Sequence, residues 1–225
     1  MADMSLFTSI PFLKNRRRIP RQIISDSWAD RDKILNNDVN LFCWKRPVNP
    51  EIQDFLAQLI DHQPAPISFR ASVQNLRQQI DHTKQPWYLE TFGDGFHAFW
   101  ADIELLAGDF IAFSQTGQGT VHLKMVTDDA CAKFHIDAYK LRLFTTYNGK
   151  GTEWIPEIVT NRRSLGRTND LIVKDPSQIQ RMESFEVGIL KGEPHGGNMN
   201  VKGIVHRSPE ISSTGANRII LRIDI

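Results

Sequence analysis

The feature that most constrains this chain is a run of short β-rich stretches after residue 118. They are separated by Gly, Asn, Pro and Ser and do not alternate with helices. The pattern places strands near 120–127, 133–137, 140–148, 152–155, 185–191, 202–207 and 217–224. Closely spaced strands with turn chemistry between them build an antiparallel sandwich or barrel, and the lack of strand–helix alternation argues against a doubly wound fold. Upstream the periodicity is helical. Asn49 before Pro50 reads as an N-cap and first helical residue, followed by Ile52, Phe55, Leu56, Leu59 and Ile60 at helical spacing. Val73, Leu76 and Ile80 repeat the pattern more weakly, and a longer helix through Phe96, Phe99, Trp100, Ile103, Leu106 and Phe110 ends before Gly117. The expected fold class is α+β, an antiparallel β-core with an N-terminal helical layer packed on one sheet. The expected division is a basic arm over 1–30, a helical layer over 31–117 and a β-core over 118–225, integrated as a single domain.

Composition narrows the partners. A net charge of +1 offers no whole-molecule field for nucleic acid or an anionic membrane, so neither is expected, and a small-molecule or protein substrate stays open. No apolar run reaches the roughly 18 to 20 residues that a membrane span needs. At the N-terminus the apolar part precedes Arg16-Arg17-Arg18, the reverse of a secretory signal, so this tract reads as a solvated arm. Cys43 and Cys131 form no framework and read as thiols. A cytoplasmic location is the expectation.

Within "CAKFHIDAYKLRLFTTYNGKGTEWIP", His135 and Asp137 are two apart, so an extended chain turns both side chains to one face. Taken bare, such a pair more often marks the wet side of a strand. A second histidine on another strand would complete two imidazoles and one carboxylate, the donor set suited to non-haem Fe(II), and His206 in "VKGIVHRSPE" fits that need. Asn148-Gly149 reads as a hairpin turn. Cys131 would add a fourth, zinc-like ligand or be a buried structural thiol. His195 reads as a loop residue or substrate contact, His122 as facing solvent or the sheet edge, and Arg142 as solvent-facing or reaching the site. Residues 157–183 form a long polar loop of the kind used as lids, with a short helix expected over Pro176 to Met182.

The order His-x-Asp, turn, long loop, His and Arg-led terminal strand resembles the 2-oxoglutarate and Fe(II)-dependent dioxygenases, including prolyl-hydroxylase-like members. Gly149-Lys150-Gly151-Thr152-Glu153-Trp154 is similar, though not identical, to their Gly-Gly-x-Thr-x-Phe-like element. Cys131 to Pro156, with "GILKGEPHGGNMNVKGIVHRSP" and "NRIILRID", more closely resembles the bacterial family known as domain of unknown function 1826. The dioxygenase resemblance implies a jelly-roll-like double-stranded β-helix, with His135, Asp137 and His206 as both catalytic residues and iron ligands. It further implies Arg218 on the distal carboxylate of 2-oxoglutarate, Tyr147 or Thr145 adding a hydroxyl contact, and hydroxylation of an unknown substrate. The alternative is a non-enzymatic protein of zinc or iron homeostasis using the same three residues. On the terminal strand, Arg218, Ile220 and Arg222 share one face and Ile219, Leu221, Ile223 and Ile225 the other, so the role of Arg218 turns on which face meets the site.

Overall fold

The structure, a computed structural model, describes residues 19–89, 93–129, 131–194 and 201–225. The basic tract Arg16-Arg17-Arg18 and His195 lie outside the described residues. Among the described residues, ten strands form two sheets. Their ranges are β1 Arg21–Ser25, β2 Val39–Trp44, β3 Ile67–Ala71, β4 Gly119–Val126, β5 Leu141–Asn148, β6 Glu153–Ile155, β7 Gln180–Arg181, β8 Val187–Lys191, β9 Val205–Arg207 and β10 Arg218–Asp224. The large sheet runs β1-β2-β8-β5-β10-β4-β3 and the small one β7-β6-β9. The β1–β2 pair is parallel; the other ladders between these strands are antiparallel.

The expected helices form. α1 spans Pro50–Leu59, and Asn49 Oδ1 accepts from the N–H groups of Glu51 and Ile52, satisfying donors that a helix start leaves unpaired. α2 spans Leu76–Thr83 and α3 Asp94–Phe113. Their apolar stripes, through Phe55, Leu56, Leu76, Phe99, Ile103 and Phe110, pack in one buried cluster with Val121, Leu123, Leu143, Tyr147, Ile219, Leu221 and Ile223. Helices therefore cover one face of the large sheet, and the odd-numbered side chains of β4, β5 and β10 belong to that core.

Three expectations need correction, and one is the strand over 133–137, of which only a single bridge from His135 to His206 forms. The first half is not purely helical, since it contributes β1, β2 and β3 to both edges of the large sheet. β2 is buried along nearly its whole length, so it shows no alternation that would mark a strand. Nor do β5 and β6 pair as a hairpin. Gly149 takes φ +84° as expected of the turn, but the turn carries the chain from one sheet to the other. A side chain at Gly149 would also strike the carbonyl of Asn217.

The segment from 157 to 183 is not structureless. It contains short helical turns, one of them at Pro176–Gln178 where a short helix was expected, and a Thr160–Val173 bridge. Ile172 and Val173 pack with Phe134, Ile155 and Val205. Arg162 ties it down through Glu157, Glu193 and the carbonyl of Gly203.

Candidate metal centre

The opposite face of the large sheet looks toward the small sheet. Under β2 and β8 this space is apolar, filled by Leu41, Cys43, Leu190, Trp154 and Met182. Beside β4, β5 and β10 it opens into a cavity walled by Lys124, Arg142, Phe144, Ile220 and Arg222, with His135 and His206 opposite.

Backbone pairing brings the two histidines together. The N–H of His135 donates to the carbonyl of His206 at 2.9 Å and the reciprocal bond is 3.0 Å, which sets the rings 4.6 Å apart. Asp137 reaches the same point: its Oδ2 is 3.3 Å from His206 Nε2 and its Oδ1 3.7 Å from His135 Nε2. One ligand atom from each of the three residues lies within 4.8 Å of the others.

The rings are oriented for ligation. Nδ1 of His135 lies 2.8 Å from the carbonyl of Lys133, and Nδ1 of His206 lies 3.3 Å from that of Ile204. A carbonyl can only accept, so each Nδ1 is the donor and each Nε2 presents a lone pair toward Asp137. His206 Nε2 and Asp137 Oδ2 are buried and make no hydrogen bond among the described residues. Two acceptors facing each other without a proton or cation between them are costly, and a divalent ion satisfies both. The residues present therefore fit a metal.

Electrostatics agree. Burial by itself would raise the Asp137 carboxyl, but His135, His206 and Arg142 outweigh it and hold the group far below the usual carboxylate range. The neighbouring Asp137 carboxylate raises the His135 imidazole, against the lowering effect of burial. Arg142, buried on β5, donates through Nη1 to Asp137 Oδ1 and through Nε to Asp224 Oδ1. One oxygen of Asp137 is thus occupied and the other is left free. Upstream, Asn169 accepts from the N–H of Phe134 at 2.8 Å and donates to the carbonyl of Ala132 at 2.9 Å, pinning the chain that leads into His135. Glycine at 192 lets the chain after β8 pass against the carbonyls of Asp137 and Tyr139, where a Cβ would collide.

The other expected residues divide. Arg218 is only 1% exposed; its Nε donates to the carbonyl of Lys150 at 2.6 Å and its Nη2 to Thr146 Oγ1 at 3.3 Å. No carboxylate among the described residues lies within ion-pair reach of it, and burial pulls its guanidinium down to about 10, partly offset by Glu153. It sits just past the cavity wall, beside Ile220 and across the ladder from Val126. Tyr147 and Thr145 are corrections. Both point to the helical layer: Tyr147 donates to Asp102 Oδ2 at 2.6 Å, and Thr145 donates to the carbonyl of Phe185 at 3.3 Å. The cavity face of β5 carries Arg142, Phe144 and Thr146 instead. His122 is a further correction, since it lines the cavity with Nε2 3.3 Å from Asp224 Oδ2. Cys131 is an exposed free thiol at the cavity in a left-handed conformation, not a buried one, and falls outside the three-residue cluster. Asp224 is the site residue that strand reasoning left unassigned, and Arg142, expected to face either solvent or the site, reaches the site. Their signal was parity: each stands an even number of positions from Phe144 or Arg222.

The profile of a family described as "Protein of unknown function (DUF1826)" matches residues 25–224. The chain belongs to the DUF1826 family. No curated protein matches it. Among solved structures, this DUF1826 chain is similar to the dioxygenase for auxin oxidation 1 from Arabidopsis thaliana, in complex with 2-oxoglutarate, at 11% identity and a TM-score of 0.51, covering 92% of this chain and 91% of that one. It is also similar to a prolyl-4-hydroxylase from Pseudomonas putida (9% identity, TM-score 0.42, 88% and 97% covered). A third similarity is to the dioxygenase for auxin oxidation in rice (11% identity, TM-score 0.44, 92% and 82% covered). The first likeness marks a shared fold at an identity too low to carry an activity across; the other two resemble this DUF1826 protein in outline only. No helix among the described residues is long and apolar enough to cross a membrane.

Proposed function

We propose that the chain is a 2-oxoglutarate- and Fe(II)-dependent oxygenase on an antiparallel double-stranded β-helix, the two sheets forming its halves. The observation that carries this reading is the convergence of His135, Asp137 and His206 within 4.8 Å, with buried acceptor atoms left unpaired. Two imidazoles and one carboxylate would hold Fe(II) and leave positions open for further ligands, as non-haem oxygenase chemistry requires. Bound there, Fe(II) would supply the redox chemistry by which dioxygen oxidises 2-oxoglutarate to succinate and carbon dioxide, its second oxygen atom entering a substrate C–H bond as hydroxyl.

The chain's own residues have separable tasks. Carbonyl bonds to the two Nδ1 atoms fix the imidazoles, and Arg142 occupies Asp137 Oδ1 so that the carboxylate offers one oxygen. Arg218, a buried guanidinium without a carboxylate partner among the described residues, would receive the distal carboxylate of 2-oxoglutarate, because a buried charge is stable only when paired. Phe144 and Ile220 present an apolar wall that limits water in the cavity.

The test is calorimetric titration of 2-oxoglutarate into protein loaded with Mn(II) as a redox-silent stand-in. Stoichiometric binding that vanishes when the metal is removed is expected. Tight retention of zinc with no 2-oxoglutarate binding under any metal would sink the oxygenase and leave the non-enzymatic metal-binding alternative.

A further inference from the structure

The cavity wall carries more positive charge than the proposed chemistry uses. Lys124, Arg142, Arg207 and Arg222 line it, and the two carboxylates beside it, Asp137 and Asp224, are both held by Arg142. Two of these cations are committed. Arg142 is spent on Asp137 and Asp224, and Arg207 on Glu153 at 2.7 Å and Glu210 at 3.3 Å.

Of the other two, one is unpaired and one is only partly paired. Lys124 makes no ion pair or hydrogen bond among the described residues, although it is half-buried on β4. Arg222 reaches Asp224 Oδ2 at 3.2 Å through Nη2, but that carboxylate already serves Arg142 and lies near His122, and Arg222 Nε is buried without a hydrogen-bond partner among the described residues. The ladder places Lys124 opposite Ile220 and Arg222 opposite His122, so both cations rise from one face of adjacent strands, with only the inward-facing pair Leu221–Leu123 between them. Between and beside them stand Val126, Phe144 and Ile220. A half-buried lysine and an incompletely paired guanidinium in a concave site raise the local concentration of anions, while the apolar residues offer nothing to a small hydrated ion.

We infer that the substrate of this site is an organic anion with an apolar body, its carboxylate or phosphate head held by Lys124 and Arg222 and its body lying against Val126, Phe144 and Ile220. This rests on the oxygenase reading for what happens to the bound molecule, but not for its binding. The head-group position is distinct from Arg218, which lies past the wall and is assigned to the co-substrate.

The experiment titrates Mn(II)-loaded protein, saturated with 2-oxoglutarate, with benzoate, phenyl phosphate and the uncharged benzyl alcohol. At least one acid should bind where benzyl alcohol does not, and whichever binds more tightly identifies the head group. Lys124→Ala and Arg222→Ala should each weaken that acid at least tenfold, Lys124→Arg should restore most of the loss, and 2-oxoglutarate affinity should change less than threefold. The inference is overturned if the acids bind no better than the alcohol, bind the Lys124→Ala variant undiminished, or displace 2-oxoglutarate one for one. If 2-oxoglutarate does not bind at all, the same titration without it separates the two ideas. Lys124-dependent binding of an acid then keeps the anion site while the oxygenase reading falls, and its absence removes both.

Discussion

The two faces of strands β5 and β10 differ more than any two elements of the molecule. On one face Leu143, Tyr147, Ile219, Leu221 and Ile223 join the apolar cluster under the helices. On the other, Arg142, Arg222, Asp224 and Arg218 bring charge into the space between the sheets, with Arg222 Nε and Asp224 Oδ2 making no hydrogen bond among the described residues. The same backbone therefore carries stability on one side and chemistry on the other. Substitutions on the helical face should cost folding free energy and spare the site. Substitutions on the cavity face should do the reverse.

The largest expected effect is on the cavity side. His206→Ala should abolish stoichiometric divalent-metal binding, read by metal analysis after dialysis, while thermal unfolding of the metal-free protein stays cooperative. Its counterpart is Leu221→Ala, which should lower stability by about 3 kcal/mol in denaturant unfolding and leave metal affinity within twofold. A variant that lost both properties would show that the faces are energetically coupled.

Glu153 sharpens the contrast from within the small sheet, where it is buried against Arg181 and Arg207. Burial favours its neutral form, but the two arginines outweigh this and depress the carboxyl below its ordinary 4.5. The stability gained is complete above that ordinary value and fades as the pH falls through it toward the depressed one. Glu153→Gln should cost roughly 3 kcal/mol near neutrality, with Arg207 left half-buried and short of a partner. It should also flatten the acid limb of a stability–pH curve. An unchanged slope would contradict the assignment.

The smallest effect is expected at Asn169, which touches backbone on both sides of Lys133 and no ligand directly. Asn169→Ala should weaken metal binding about tenfold, as loss of outer support does, with the helical core unaffected by near-ultraviolet circular dichroism.

This division also explains what the sequence revealed. The approach of His135, Asp137 and His206 was legible only in part: two-residue spacing on extended chain turns His135 and Asp137 to one face, but a single His135–His206 bridge, not a strand over 133–137, brings in the distant histidine. The helix start at Asn49-Pro50 was legible because its signal is local. Tyr147 and Thr145 were assigned to the wrong side because β5 is covered on both faces, so its residues are almost uniformly buried and hydrophobic alternation is lost. Polarity then misleads: the hydroxyl of Tyr147 is satisfied by Asp102 inside the helical core, whereas the charged Arg142 is the residue that faces the site. His122 was misjudged because nothing near it in sequence announces Asp224, which lies diagonally across the ladder, two residues past its direct partner Arg222. Strands β1 and β2 escaped because parallel edge pairing at that distance from the other strands leaves no hairpin signal.

The central claim is that the unpaired donors of the cavity face bind Fe(II) together with 2-oxoglutarate, and anaerobic absorption spectroscopy tests it most directly. Adding Fe(II) and then 2-oxoglutarate to the metal-free protein should produce a weak visible charge-transfer band that saturates at one equivalent, is absent in His206→Ala and persists in Leu221→Ala. Metal uptake without that band at saturating 2-oxoglutarate, or the same band in His206→Ala, would contradict it.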